Sequence, residues 1–397
     1  MQLLKIAKMH LGGKIMINIE INDETYAPKI LVVGIGGGGN NALDRMIDEQ
    51  LRGVCYAAVN TDAQVLDKCK AEILLQIGQK LTNGYGAGAD PSVGEAAALE
   101  SEEDIKAVVK DYDMVILTCG MGGGTGTGAI PVIAKCAKES GTLVMSVVTL
   151  PFTFESGQRM SVANAGIEKL KEYVDTLLVI PNDKLLTLNE KTLYLEDAFI
   201  MADSVLKYTI EGITNIVYNR GTINIDFNDL KSTISNKGIG HLGIGTVDSD
   251  GSILEAVKQA INSPLLETSI KGAENILLNT SGRINLLELN EAIRYVQEIV
   301  GQNAKIIWGT VTDNNQTEDK IVVTLIATGM PQASPKAILP KMNPFTNMTT
   351  QATQAVPNNN FIIEETFPTL KPVVSMKPNV KEQKIIIPPF LAEKGVR

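Results

Sequence analysis

From Lys29 to about Ile180, short apolar runs alternate with amphipathic stretches, and this alternation constrains the fold more than any other feature of the chain. "KILVVGI", "VCYAAVN", "AEILLQI", "DMVILTC", "TLVMSVVTL" and "DTLLVIP" have the length and β-branched content of strands. Helical patterns such as "NNALDRMIDEQL" and "SEEDIKAVVKDY" lie between them. Strand and helix in alternation predict a largely parallel sheet covered on both faces.

Beyond this region Leu195, Ala198, Phe199, Ala202, Val205, Leu206, Ile210, Ile213, Ile216 and Val217 recur at helical spacing. A helix over 195–219 would be roughly 37 Å long, about the width of a domain. "ENILLNTSG", "AKIIWGTVTD" and "DKIVVTLIATG" then read as strands of a second, smaller α/β unit ending near Met330. The expected fold class is therefore α/β: an N-terminal Rossmann-like nucleotide domain with a parallel sheet, a long central helix, a smaller C-terminal α/β domain and a disordered tail. The boundaries fall at 1–28 (an N-terminal extension), 29–194, 195–220, 221–331, 332–383 (linker) and 384–397 (a terminal peptide).

The tail is marked by composition. Ten of the sixteen prolines fall at or after Pro331, among Thr, Gln and a "PNNN" run, the composition of a disordered linker. The closing "KIIIPPFLAEKGVR" is too apolar for mere linker and too short to fold alone, and reads as a docking peptide. From Gln332 onward eight Lys/Arg face four Glu, whereas the whole chain carries a net charge of −9. An acidic body argues against a nucleic-acid surface. No run of 18 apolar residues suggests a membrane span. The opening "MQLLKIAKMHLGGKIM" lacks the apolar core of a signal peptide, and reads as a disordered tail, a stretch ahead of a start at Met16, or an amphipathic surface anchor. His10 and His241 are the only histidines, and Cys55, Cys69, Cys119 and Cys136 form no CxxC pair. His-based metal sites and Ser-His triads have almost no material, and the cysteines read as reduced thiols.

Two glycine-rich loops carry the chemistry. "GIGGGGNNA" satisfies GxGxxG through Gly34, Gly36 and Gly39 after the first strand, and opens a helix. "GMGGGTGTGAI" follows "DMVILTC" with six glycines, Thr125 and Thr127, ahead of the helical "AIPVIAKCAKE". Glycines at a strand-to-helix junction let backbone N–H groups and the helix N-terminus face a phosphate. Two such loops would cradle more than one phosphate. No GK[ST] is present to make either a Walker loop. The first loop alone would suit a dinucleotide, with Asp62 on a ribose.

With "AVNTDAQVL", "GAGADPSVGE", "TLPFTFES", "IPNDKLL" and "SPLLE" following in order, the chain resembles the tubulin/FtsZ family of cell-division GTPases, in its bacterial form, over residues 30–330. The resemblance implies GTP/GDP and Mg²⁺ as ligands. It places Gly36, Gly37 and Asn41, with Gly122, Gly123, Gly124, Thr125, Gly126 and Thr127, on the phosphates. Ala87, Gly88 and Asp90 of "AGAD" resemble the loop that senses the γ-phosphate, with Asn60 to Asp62 beside it. Glu155 and Arg159 match sugar contacts, Phe199 would stack near the guanine, and Asp203 would accept from the N1–H and exocyclic amine that distinguish guanine from adenine.

"NIDFND" supplies Asn224, Asp226 and Asp229 past the long helix. Local grammar makes Asp226 an N-cap of "FNDLKSTISNK", with Asp229 back-capping from N3 and Gly238 ending the helix. The resemblance adds that these are catalytic residues, supplied in trans to the next subunit of a head-to-tail homopolymer. It also implies membrane-anchoring and regulatory partners for the terminal peptide through Ile387, Pro388, Phe390 and Leu391, and a cytoplasmic location at the division site. Ile386 stands where the family's peptide has an acid, which leaves the adaptor open. The rival readings are a Rossmann-type NAD-dependent oxidoreductase, which leaves the second glycine loop and "NIDFND" unexplained, and a non-hydrolysing paralogue.

Overall fold

The computed structural model describes residues 6–11, 14–19, 28–48, 53–186, 194–218, 226–248, 251–263, 265, 269–282, 285–311 and 320–330. Near the N-terminus, β1 (Ile6–Leu11) and β2 (Lys14–Ile19) form an antiparallel pair, which none of the readings of that stretch anticipates. The linker, the terminal peptide and Asn224 lie outside the described residues.

The six expected strands all form: β3 (Ile30–Ile35), β4 (Val54–Asn60), β5 (Ile73–Gln76), β6 (Met114–Gly120), β7 (Leu143–Leu150) and β8 (Thr176–Pro181). They pair in parallel in the order β5-β4-β3-β6-β7-β8. Counted from β3 this is the 3-2-1-4-5-6 order of the doubly wound dinucleotide fold, which binds ligands where the chain reverses direction across the sheet. Here that point lies between β3 and β6, the strands that feed the two glycine loops. Their side chains are buried on both faces. Ile30 and Val32 join one core with the central helix, while Leu31, Val33 and Ile35 join another under the helix Thr125–Glu139.

The central helix spans Leu195–Tyr218, about 36 Å at the α-helical rise. Ala198, Ala202, Val205, Leu206, Ile210 and Ile213 are buried as the periodicity requires, while Leu195 and Phe199 are exposed.

The second unit is not a detached sheet. β9 (Gly238–Asp248) pairs in parallel with β8 through its first three residues, then antiparallel with β12 (Lys320–Thr328). β10 (Asn275–Ser281) lies between β12 and β11 (Lys305–Val311), completing ten strands. The sequence reading missed β9 because "GIGHLGIGTVD" is rich in glycine, a residue depleted from strands. Packing explains the composition. A Cβ on Gly243 or Gly245 would lie about 2.0 or 1.9 Å from the carbonyl oxygens of Ala260 and Ala256 on the helix Ile253–Ile261. Among the described residues no helix is long and apolar enough to cross a membrane, and all four cysteines are free, Cys119 and Cys136 buried.

Candidate functional site

A cavity of about 550 Å³ opens at the carboxyl ends of β3 and β6. One end is backbone. Gly36, Gly37, Gly38 and Asn41 border it from the first loop, and Gly120, Gly123, Gly124, Thr125 and Gly126 from the second. The helices Gly36–Asp48 and Thr125–Glu139 both begin here, and neither has an acidic residue in its first turn. Two positive helix ends with unpaired N–H groups and no carboxylate of their own to satisfy them suit a polyanion.

The glycines divide by what surrounds them. A Cβ on Gly34 would meet Gly39 O at 2.5 Å, and one on Gly39 would meet Thr118 O at 2.6 Å, so these two allow the helix to pack on its strand. Gly36 (φ +70°) has the backbone of Gly126 at 2.9 Å from its Cβ position, so the loops touch each other there. Gly37 and Gly123 have nothing within 4 Å. The protein itself does not require glycine at these two positions, but a ligand pressed against the backbone would.

Several expected residues shape the loops rather than border the cavity. Thr127 is buried, and its Oγ1 accepts from Gly122 N at 2.8 Å, closing the turn at Gly122 (φ +95°). Thr125 does border the cavity, with its Oγ1 2.7 Å from that of Thr61. Ala87 packs against Gly124, whose Cβ position lies 3.0 Å from it. Asp90 caps the helix Pro91–Glu100 by accepting from Ser92 N and Ser92 Oγ, bonds that hold its carboxyl below the usual range. Ala87 and Asp90 thus buttress the second loop, Gly88 (φ +58°) has nothing within 4 Å of its Cβ position, and none of the three lines the cavity. Asn60 is likewise internal, donating to Asn40 Oδ1 at 2.7 Å, while Asn40 donates to Gly34 O.

The other end is made of side chains. Phe199 meets the stacked pair Phe152 and Phe154 edge-on, at centroid distances of 5.5 and 6.4 Å. Arg159 Nη1 lies 2.6 Å from Glu155 Oε2, and Glu155 Oε1 accepts from Phe152 N. Asp203, on the central helix, pairs with Arg45 Nε at 3.0 Å. Burial pushes its carboxyl up to about 6, against the pull of Arg45. Asn182, Thr149, Pro151, Met121, Ala202, Leu206 and Ile35 complete the lining. The sequence reading quoted "IPNDKLL" but did not single out Asn182. Its amide oxygen is buried without a hydrogen-bond partner, which a ligand donor would supply.

The acidic motif is elsewhere. Asp226 caps the helix Phe227–Ile234, its Oδ1 accepting from Asn228 N at 2.9 Å. Asp229, expected to back-cap, is engaged instead with Lys305, Nζ to Oδ1 3.1 Å. That helix ends at Ile234, four residues before Gly238. Neither acid lines the cavity.

Residues 29–190 match the model of the tubulin/FtsZ family GTPase domain, and residues 238–331 that of the FtsZ family C-terminal domain. An empty FtsZ dimer from M. jannaschii is 45% identical, with a TM-score of 0.74 over 77% of this chain and 89% of that one. The chain belongs to the FtsZ family. It is a GTPase with the two-domain FtsZ fold, and the oxidoreductase reading falls away. A point mutant of M. jannaschii FtsZ matches at 44% identity and TM-score 0.73, covering 77% of this chain and 92% of that one. CetZ1 from Haloferax volcanii, in a GDP-bound monomer, shares the fold at 21% identity and TM-score 0.67, over 77% and 95%. The signature read as bacterial in form therefore has relatives in archaeal FtsZ.

Proposed function

We propose that the chain binds GTP in this cavity, stacks head to tail into filaments and hydrolyses GTP only where two subunits meet. One observation carries the reading: among the described residues, the backbone end of the cavity is lined by no acid, lysine or histidine. The ionisable lining residues are Glu155, Arg159 and Asp203, and each of the two acids is already paired at the opposite end. The loops can hold phosphates and stabilise charge on the β–γ bridge, but they supply nothing to polarise water.

Asp226 and Asp229, with Asn224, are the groups available for that task. They follow a helix about 36 Å long that starts beside the cavity, so the chain's own nucleotide is out of their reach, whereas that of the next subunit is not. An attacking water polarised by these carboxylates would add to the γ-phosphorus as the bond to the β–γ bridging oxygen breaks, releasing GDP and phosphate. A heterologous contact of this kind does not close on itself and yields a filament.

In the cavity, Gly36, Gly37, Gly123, Gly124 and Gly126 take the phosphates, Glu155 and Arg159 the sugar, and Phe199, Asp203 and Asn182 the base. Mg²⁺ would neutralise phosphate charge during transfer. Such an ion would be held mainly by phosphate oxygens and its own waters; among the described residues no three or more His, Cys, Asp or Glu side chains cluster as a metal cage. The terminal peptide docks on membrane-anchoring and regulatory proteins of the division site. Asp229→Ala tests the reading. Turnover should vanish with GTP binding intact, and the variant should poison wild-type filaments when mixed in; wild-type turnover would refute catalysis in trans.

A further inference from the structure

The helix Phe227–Ile234 is tied down at its C-terminal end. Thr176 Oγ1 donates to Ile234 O at 2.6 Å, Thr328 Oγ1 to Thr233 O at 2.7 Å, and Asn236 N to the buried carboxylate of Asp175 at 3.1 Å. These bonds come from β8, β12 and the residue before β8, so the helix is pinned where the two halves of the sheet meet. At its exposed end, Lys305 Nζ contacts both Asp229 Oδ1 (3.1 Å) and Ser232 Oγ (2.9 Å). Lys305 opens β11, and its own N–H donates to Glu274 O at 2.8 Å. Lys305 is therefore held at both its backbone N–H and its ammonium head.

We propose that Lys305 is a positioning residue for hydrolysis: it fixes the Asp229 carboxylate in one orientation and offsets one of the two negative charges that the helix brings to a neighbour's phosphates. The proposal rests on the in-trans reading above. Two acids approaching a triphosphate repel it, and repulsion across a desolvating interface is stronger than on a free surface. The other charges nearby do not substitute for Lys305. Lys237 is engaged by Glu274 at 2.9 Å, and Asp226 is the second acid itself. Lys231 lies on the same helix, two positions beyond Asp229, where side chains point to different faces. Ser232 accepts or donates but carries no charge. Lys305 does not line the nucleotide cavity, so its effect is on turnover and not on the affinity of a single subunit for GTP.

The test compares Lys305→Met, Lys305→Arg, Asp229→Asn and the Lys305→Met/Asp229→Asn double variant in the full chain. GTP turnover per subunit is measured at saturating GTP and well above the assembly threshold, with scattering and GTP affinity on the same samples. Lys305→Met should lower turnover about tenfold, as for close charge pairs in interfaces, with GTP affinity unchanged. Lys305→Arg should stay within about threefold of wild type, since the charge is restored. In the Asp229→Asn background Lys305→Met should have no further effect on residual turnover. Wild-type turnover by Lys305→Met, failure of Lys305→Arg to rescue, or an undiminished effect in the double variant would overturn the role of Lys305. Wild-type turnover by Asp229→Asn alone would instead overturn the in-trans reading beneath it.

Discussion

Asp203→Asn should make the protein more stable and a poorer GTP binder at the same time. The Asp203 side chain is 15% exposed and sits 3.0 Å from Arg45, yet burial outweighs that pairing and raises its carboxyl from 3.8 to about 6. A folded-state value above the unfolded one means that the folded chain holds the proton more tightly. The associated stability is fully present below pH 3.8 and is lost as pH rises through 6. At pH 7 the buried charge therefore costs about 3 kcal/mol relative to a neutral side chain, shrinking to about 0.5 kcal/mol by pH 4. An amide removes the charge but leaves Arg45 facing a weaker partner, so a net gain of about 1–2 kcal/mol is expected at pH 7. Urea unfolding of nucleotide-free protein at pH 7 and pH 4 measures it. A variant no more stable than wild type at pH 7, or a gain that persists undiminished at pH 4, would refute the reasoning. Losing a charged acceptor for two guanine donors should also weaken GTP about 100-fold. In the wild type, protonation of this one group should weaken GTP about tenfold between pH 7 and pH 5.

Glycine substitutions should separate ligand contact from packing. Gly37→Ala and Gly123→Ala, with nothing within 4 Å of the added Cβ, should leave the thermal midpoint within about 2 °C while GTP binding, followed by fluorescent-nucleotide titration, falls at least about tenfold. Gly128→Ala, whose Cβ would lie 2.0 Å from Pro91 O, should fail to give soluble folded protein in an expression and circular-dichroism assay. Ser156 has φ 125° and ψ 150°, a region nearly confined to glycine. Ser156→Gly should raise stability in urea by about 1 kcal/mol, the released strain less the lost bond to Arg159 N.

Much of this was legible in the sequence where one rule governed one stretch. Short apolar runs with β-branched residues marked β3, β4, β6, β7 and β8, and a 3.6-residue period marked the central helix. β9 was hidden because two of its glycines answer to the carbonyls of a helix that follows it, a tertiary demand invisible to local propensity. At the site, the glycine loops announced an anion because clustering at a strand end has one main physical use. The division of labour within them was not readable. Thr127 and Thr125 look alike in "GGGTGTG", yet one hydroxyl faces inward to Gly122 and the other lies beside the cavity. Asn182 went unremarked because nothing in "IPNDKLL" shows that its amide oxygen is buried and unpartnered. Asp229 was expected to turn back on its own helix, but the lysine that holds it lies 76 residues further on.

The central claim is that the site is completed by a second subunit, and GTP turnover per subunit against protein concentration, with Mg²⁺ present and light scattering recorded on the same samples, tests it most directly. Specific activity near zero in dilute solution that rises together with scattering is the predicted result. A specific activity independent of concentration would mean that each chain hydrolyses GTP alone, and would contradict the account.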